Sequence, residues 1–336
     1  MLGASPGPNP DLDPAAPPPQ NRRMPRFPSV LTVALAVACA TPDPFPPPTG
    51  EPGVQAVSLL GDSLVPVAAP DSVRAVQWAQ LDSAHAALVA QPDDPDAWIW
   101  LGRRLAYLGH YRAAIAAFTD ALARHPEDAR LLRHRGHRYV TIRELDAAVG
   151  DFTRAVTLVR GMPDEVEPDG QPNARGIPTS TLQFNIWYHL GLARYLQGDF
   201  ERALSAYREC LAVSTNPDAL VATRYWLYLT ERRLGRETAA AAVLEPITAE
   251  LDVIENDAYH RLLLLFRGDA RADELLASAR SGDAIQNATV AYGVGAWLLV
   301  NGDSARAREV FHEILAGPQW AAFGYIAAEA EVTRAR

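Results

Sequence analysis

The chain has 336 residues, of which 48% are hydrophobic and 21% are charged, a composition that excludes wholesale disorder. Its formal net charge of -9 disfavours general nucleic-acid binding, which depends on neutralising phosphates with basic side chains. Two cysteines, Cys39 and Cys210, are too few to form a disulfide framework.

The first 39 residues have the pattern of an export signal. Three arginines within residues 22–26 precede the uncharged stretch 30–38, which is too short to span a bilayer as a stable helix. Met24 fits the start of such a signal better than Met1, because an acidic, proline-rich leader is unusual ahead of one. We therefore interpret residues 1–39 as a signal or leader segment that directs export.

The uncharged stretch ends in the sequence Ala36-Val37-Ala38-Cys39. This sequence resembles the lipobox of bacterial lipoproteins, in which the cysteine is lipidated and becomes the mature N-terminus. The resemblance implies a periplasmic protein of the cell envelope whose only membrane contact is a lipid anchor at Cys39. It also implies the outer membrane, because no aspartate follows the cysteine. An ordinary cleaved signal with a bystander cysteine is the alternative.

Residues 40–71 are predicted to be a stiff tether and linker. Of the 27 prolines, 15 fall within residues 1–53, and proline lacks the backbone donor that helices and sheet ladders need. The block at residues 61–64 (Gly-Asp-Ser-Leu) resembles the one that carries the nucleophilic serine of an esterase family. That chemistry needs an α/β sheet, for which this sequence gives no sign. We interpret the block as a loop in which Asp62 or Ser63 caps the first helix.

Residues 72–94 are predicted to form one or two helices. Trp78, Leu81 and Leu88 give this stretch an apolar face, and Pro92 ends it. A helix at this place would cover the start of whatever core follows it.

A repeated unit begins at Pro95. Eight residues of the first unit occupy its positions 4, 7, 8, 11, 20, 24, 27 and 32, namely Trp98, Leu101, Gly102, Leu105, Ala114, Phe118, Ala121 and Pro126. The corresponding positions of the next unit hold Leu132, Gly136, Tyr139, Ala148, Phe152 and Ala155. This spacing resembles the tetratricopeptide repeat, in which each unit is a pair of antiparallel helices. Gly102 and Ala114 are then expected where the two helices cross, with Phe118 filling the space beside them.

Further units follow an insert at residues 163–183. The third unit is marked by Trp187, Leu190, Gly191, Ala203, Tyr207 and Cys210. Turn glycines then recur at intervals of 37, 33 and 34 residues, at Gly198, Gly235, Gly268 and Gly302. Residues 95–317 are therefore predicted to form about six hairpins, with capping helices at 72–94 and 318–336. The resemblance implies an all-α, right-handed superhelical solenoid of antiparallel helix hairpins, and Cys210 is expected in its core.

In tetratricopeptide repeats the first helix of each hairpin lines a concave groove, and the resemblance implies which residues face it. They are Trp100, Arg103, Tyr107, Arg130, Arg133, His134, His137, Asn185, Tyr188, His189, Tyr195, Tyr225, Trp226, Arg232, Arg233, Tyr259 and Tyr292. Arginine binds carboxylates in a forked geometry, and aromatic side chains give large contact areas at a small entropic cost. We therefore expect a non-catalytic scaffold that binds an extended, acidic peptide or protein partner.

Other interpretations of these residues remain open. A glycan or a small anion is an alternative ligand for the same groove. In a further alternative the aromatic residues only pack against neighbouring helices, and the arginines pair with acids such as Glu144, Asp146 or those of the insert. The insert itself is either an internal lid, whose acids fold back onto the arginines of the second unit, or a disordered excursion.

Metal and enzyme functions have little support in the sequence. His134 and His137 lie three residues apart, a spacing compatible with metal binding, but no third ligand or metal-binding motif accompanies them. We therefore expect no metal, no cofactor and no enzymatic activity. A metal-dependent enzyme is the most remote alternative.

Overall fold

The computed structural model describes residues 43–280 and 284–335. Within these ranges the α-helices are α1 (Asp71–Ala90), α2 (Pro95–Tyr107), α3 (Tyr111–Arg124), α4 (Ala129–Thr141), α5 (Leu145–Val159), α6 (Leu182–Gln197), α7 (Phe200–Val213), α8 (Pro217–Arg233), α9 (Glu237–Leu244), α10 (Asp257–Arg267), α11 (Ala272–Ala279), α12 (Ala284–Val300), α13 (Ser304–Leu315) and α14 (Phe323–Arg334). Every one of these helices is too short or too polar to cross a membrane.

The helices from α2 to α13 follow one another as six consecutive pairs, from α2/α3 to α12/α13, with α1 before them and α14 after them. They belong to one compact unit that begins at Asp43. The prediction of an all-α solenoid of helical pairs is confirmed. The export signal of residues 1–39 and the anchor at Cys39 lie outside the described residues.

Polar caps and turn glycines define the ends of the helices. The Asp94 carboxylate accepts a hydrogen bond from the Asp96 amide (3.0 Å) at the start of α2. The Thr181 hydroxyl accepts one from the Phe184 amide (3.3 Å) at the start of α6. Gly198 ends α6 with a φ of 81°, a left-handed conformation that glycine adopts without a Cβ clash. Because these signals are local, the sequence alone indicates where the helices begin and end.

In four of the pairs, a glycine of the first helix faces an aromatic ring of the second. These contacts are Gly102 to Phe118, Gly136 to Phe152, Gly191 to Tyr207 and Gly295 to Phe311. A Cβ on Gly191 would lie 2.6 Å from the Tyr207 ring, which is closer than van der Waals contact permits. Only glycine therefore lets the two helices approach this closely, and the predicted role of Gly102 beside Phe118 is confirmed.

Residues 43–70 pack along the helices, which differs from the predicted tether and linker. The main chain forms a small antiparallel hairpin of β1 (Ala56–Val57) and β2 (Ser63–Leu64), and one side chain of each strand is buried. The Trp320 indole, which lies just before α14, donates a hydrogen bond to the Val65 carbonyl oxygen (2.7 Å). Apolar burial and main-chain hydrogen bonds thus fix a segment whose proline content suggested a free connection.

The block at residues 61–64 belongs to this hairpin. Asp62 lies in the loop between the strands, and Ser63 lies in β2 with its side chain exposed. The first helix begins later, at Asp71, with Pro70 at its cap position. The prediction that Asp62 or Ser63 caps this helix is wrong, because both residues help to turn and pair the hairpin.

The last helix, α14, covers part of the inner face of the second and third pairs. The Phe323 ring lies 5.3 Å from the His137 ring and 5.5 Å from the His189 ring. The Glu329 carboxylate accepts hydrogen bonds from Arg143 Nε (2.9 Å) and Nη2 (2.8 Å), and both side chains are buried. Arg143 lies in the turn between α4 and α5 with a φ of 68°, a conformation that residues other than glycine rarely adopt. Contacts from α14 therefore stabilise a strained turn far away in the sequence.

Candidate ligand groove

The residues predicted to face a groove fall into two sets that differ in exposure. The buried set comprises Arg133, His134, Asn185, Tyr188, His189, Tyr195, Tyr225, Trp226, Tyr259 and Tyr292. The partly exposed set comprises Trp100, Arg103, Tyr107, Arg130, His137, Arg232 and Arg233. Most of the partly exposed residues lie on α2 and α4, so the surface that a ligand can reach is at the N-terminal end of the repeats.

The buried aromatic residues join neighbouring helical pairs. The Tyr188 hydroxyl lies 2.9 Å from the Tyr259 hydroxyl and accepts a hydrogen bond from the Trp226 indole (2.8 Å). The Tyr292 hydroxyl donates to the Tyr195 hydroxyl (3.2 Å). Burial raises the pKa of Tyr195 to about 12, so its hydroxyl stays protonated. These rings pack inside the solenoid and leave almost no surface for a ligand, which matches the packing alternative left open by the sequence.

The histidines of this face are neutral at pH 7. The His137 and His189 rings lie 4.5 Å apart, and burial lowers the pKa of His189 to about 3. Burial, with the charge of Arg133 and other arginines, also lowers the pKa values of His134 and His137 well below 6.5. The positive charge of the face therefore comes from arginines. In the described part of the chain, no group of three or more His, Cys, Asp or Glu side chains is placed to hold a metal ion.

The insert (residues 163–183) folds back onto the face formed by α2, α4 and α6. The Glu167 carboxylate lies 3.0 Å from Arg133 Nε and 3.5 Å from His134 Nε2. It also accepts a hydrogen bond from the side-chain amide of Asn185 (2.7 Å). Arg133 Nε makes no aligned hydrogen bond, so its contact with Glu167 is an ion pair. Both side chains are about nine-tenths buried, and an ion pair is stronger there than at the surface. The sequence left two roles open for the insert, an internal lid and a disordered excursion. In the structure the insert is folded back onto the arginines of the second unit, as expected for a lid.

Two carbonyl groups of the insert also bind arginines of α2. Arg103 Nη1 donates to the Pro168 carbonyl oxygen (2.6 Å), and Arg104 Nη1 donates to that of Gly170 (3.4 Å). Gly170 packs so closely against Tyr107 that a Cβ at this position would overlap the tyrosine hydroxyl. This stretch of chain is thus bound through one carboxylate and two main-chain oxygens.

Both ends of the insert are attached to the helical pairs. At the base, Val166 and Thr181 form an antiparallel bridge just before α6. At the outer end, Arg175 pairs with Asp252 (2.7 Å) in the loop before α10. These two side chains are 46% and 72% exposed, and ion pairs at such positions contribute little to stability. The Asn173 amide and the Thr179 hydroxyl also donate hydrogen bonds to Glu255 (2.7 Å and 2.5 Å), and these contacts are exposed too. The outer attachment is therefore weaker than the buried contacts made by Glu167.

The accessible part of the groove surrounds Trp100. A cavity of about 140 Å³ lies between Trp100 and the insert, and a larger groove of about 550 Å³, also lined by Trp100, runs between α1 and α2. The guanidinium groups of Arg103 and Arg104 lie 4.5 Å and 5.0 Å from the centre of the Trp100 ring. Arg130, at the rim, forms ion pairs with Asp96 (2.5 Å) and a second aspartate. Cationic and aromatic groups therefore share this surface.

Comparison with models of protein families agrees with this arrangement of helices. One model, described as the tetratricopeptide repeat, matches residues 101–163, and a second with the same description matches residues 184–216. Residues 101–163 and 184–216 are thus tetratricopeptide repeats. The matched ranges include most of α2 to α5, all of α7 and all but the start of α6. Three of these helices, α2, α4 and α6, contact the insert.

Three solved structures align with the repeat protein. A tetratricopeptide repeat protein from Parabacteroides merdae ATCC 43184 is 15% identical, with 77% of this chain and 94% of that one covered and a TM-score of 0.46. YrrB, described as a repeat protein with an unusual peptide-binding site, is 14% identical, with 75% and 99% covered and a TM-score of 0.41. MamA is 18% identical, with 48% and 81% covered and a TM-score of 0.38. A comparison with curated protein sequences gave no match.

Sequence reasoning missed two residues of this site. Arg104 lies over Trp100 and binds the insert, and a signal for it existed, since a long side chain next to a groove position can reach the same face. Glu167 supplies the central carboxylate. It is one of four acids within residues 164–169, and nothing in the local sequence distinguishes it from the others.

Proposed function

We propose that this tetratricopeptide repeat protein is a non-catalytic scaffold that binds an acidic peptide or protein segment on the face formed by α2, α4 and the insert. The observation that carries this proposal is the environment of the Glu167 carboxylate, which Arg133, His134 and Asn185 contact from α4 and α6. A site that binds a carboxylate of its own chain has the chemistry to bind one from a partner.

The accessible surface supports the same class of partner. Among the described residues Arg103 has no carboxylate partner, and it lies beside the cavity next to Trp100. An acidic peptide supplies carboxylates to the arginines and apolar contacts to the tryptophan. A glycan has less support, because the guanidinium groups of Arg103 and Arg104 already lie over the ring on which a sugar would stack.

The location of the scaffold is a separate proposal. We propose that it is exported and anchored in the bacterial outer membrane by a lipid on Cys39, within an assembly of the cell envelope. Support comes from the arginines, the uncharged stretch and the lipobox-like sequence of residues 22–39. Cells that make the full chain should incorporate labelled palmitate into it, whereas the Cys39→Ser variant should remain unlabelled. Labelling of both forms, or of neither, contradicts the anchor.

Peptide binding is tested with the full chain and a panel of fluorescent peptides that differ only in charge. Acidic peptides should bind more tightly than versions with Gln and Asn in place of Glu and Asp. Arg103→Ala should weaken acidic binding by roughly tenfold or more, the usual contribution of a hydrogen bond to a charged group. Fluorescence anisotropy measures each dissociation constant.

Arg202→Ala is the matched control for this experiment. Arg202 lies on α7, the second helix of its pair, and its side chain is 71% exposed and paired with Asp199. Its removal should leave peptide binding unchanged. Equal binding of acidic and neutral peptides, or equal losses for the two arginine variants, contradicts the proposed function.

A further inference from the structure

We infer that residues 165–170 are an internal ligand of the groove, and that the partner binds by displacing them with a non-helical segment that carries a carboxylate followed by proline. This inference rests on the proposed function and specifies its ligand and its regulation. The internal ligand has the sequence Glu-Val-Glu-Pro-Asp-Gly.

The contacts of the internal ligand are those that a separate peptide would make. Its recognised groups are the Glu167 carboxylate and the carbonyl oxygens of Pro168 and Gly170. Main-chain oxygens occur in every peptide, so two of the three contacts do not depend on the ligand's sequence. Proline in the next position has no N–H that would be left without an acceptor, and its fixed φ reduces the entropy lost on binding. The carboxylate therefore supplies the specificity for charge, and the close contact between Gly170 and Tyr107 requires glycine at that position.

The internal ligand is exposed enough to be displaced. Glu165, Val166, Pro168 and Asp169 are all exposed, and 58% of the Val166 surface is accessible. Its attachment is therefore mainly polar, and little apolar surface would return to water if it left the groove. The exposed pair at Arg175 adds little resistance.

The groove has more positive charge than the internal ligand neutralises. Arg103, Arg133 and Arg138 lie close together on this face, and among the described residues Glu167 is the one carboxylate that contacts any of these three arginines. Burial, together with the charges of Arg133 and Arg103, lowers the pKa of Arg138 to about 10. A partner with two or more carboxylates would neutralise more of this charge. That gain offsets the advantage that a tethered segment has from its high effective concentration.

The test uses the full chain with Glu167→Gln, which keeps the shape of the side chain but removes its charge. The probe is a fluorescent peptide with the sequence of residues 163–172, and a second peptide has Gln in place of the residue equivalent to Glu167. The first peptide should bind Glu167→Gln roughly tenfold more tightly than wild type or better, because the competing carboxylate is gone. The second should bind both chains weakly.

Glu209→Gln is the matched control, since it makes the same change in charge at an exposed position on α7, outside the internal ligand. It should leave peptide affinity at the wild-type value. A second variant, Arg175→Ala, leaves the groove intact and loosens the outer attachment, so affinity should rise by up to roughly fivefold. Trypsin should also cut the insert faster in Glu167→Gln than in wild type. Arg175→Ala keeps the test valid if Glu167→Gln is poorly folded.

Equal affinities of the first peptide for wild type and Glu167→Gln, or an equal gain with Glu209→Gln, would overturn the inference. If the acidic panel binds wild type but removal of the Glu167 charge changes nothing, the internal ligand is rejected and the proposed function stands. If acidic peptides bind neither wild type nor Glu167→Gln better than neutral ones, the proposed function fails as well.

Discussion

Replacing Arg143 with alanine should lower the free energy of unfolding by about 3–5 kcal/mol, because this leaves a buried charge without its partner. Arg143 binds both carboxylate oxygens of Glu329, whose side chain has no exposed surface. The same guanidinium donates hydrogen bonds to the carbonyl oxygens of Thr141 (2.5 Å) and Trp320 (2.7 Å). Alanine removes all of these contacts at once.

A glycine variant separates the side chain from the backbone. At a φ of 68°, arginine and alanine both carry a steric cost of about 1–2 kcal/mol that glycine avoids. Arg143→Gly should therefore be more stable than Arg143→Ala by about 1 kcal/mol, with the entropy of glycine in the unfolded chain offsetting part of the gain. Combining Arg143→Ala with Glu329→Gln should recover part of the loss, because no unpaired charge remains.

Urea denaturation, followed by tryptophan fluorescence and circular dichroism, measures these differences. Trp320 is a suitable probe, since the Arg143 guanidinium lies 5.4 Å from the centre of its ring. A loss below about 1 kcal/mol for Arg143→Ala would show that the pair behaves as a surface ion pair. Equal stabilities of the alanine and glycine variants would refute the strain at this turn.

Three further predictions concern the core. The depressed pKa of His189, about 3 against 6.5 in the unfolded chain, stabilises the fold above pH 6.5. Stability should therefore fall by about 2 kcal/mol between pH 7 and pH 5 through this residue. His189→Gln should flatten the pH dependence of urea midpoints, and an unchanged slope would contradict this. Gly191→Ala should cost about 1–3 kcal/mol by overpacking. Gly150→Ala should instead stabilise α5, because beyond the backbone of its own helix no atom lies within 4 Å of the new Cβ. Similar changes in melting temperature for the two variants would refute the close approach of the helices at Gly191. Burial raises the pKa of the Cys210 thiol to about 12. In a Cys39→Ser background, a disulfide reagent should therefore label Cys210 only after denaturation. Rapid labelling of the folded chain would contradict the burial of this thiol.

The helical pairs could be predicted from the sequence because their signals are local. Gly191 and Tyr207 lie on neighbouring helices that are joined by a single turn, and each has a fixed position in the repeated unit. The same holds for the cap at Thr181 and the turn at Gly198. Each signal depends on neighbours within one helical pair, so a single sequence contains all the information that it needs.

The openness of the groove could not be predicted in the same way. The repeat indicates that His137 and His189 face inward, but it does not indicate that Phe323 covers them. Likewise, the pairing of Glu167 with Arg133 joins a loop without periodicity to a helix in the preceding unit. Contacts between residues so far apart in the sequence depend on how the whole solenoid curves.

The contact between α14 and the turn at Arg143 constrains the order of events during synthesis. In an open repeat array each unit contacts only its neighbours, so the array can consolidate progressively from its N-terminus. Here the partner of Arg143 is Glu329, which emerges from the ribosome 186 residues later. Until then the Arg143 guanidinium lacks the Glu329 carboxylate as a partner and remains solvated. The turn of the second pair is thus locked only after α14 has been made, and removal of α14 should disturb repeats that precede it.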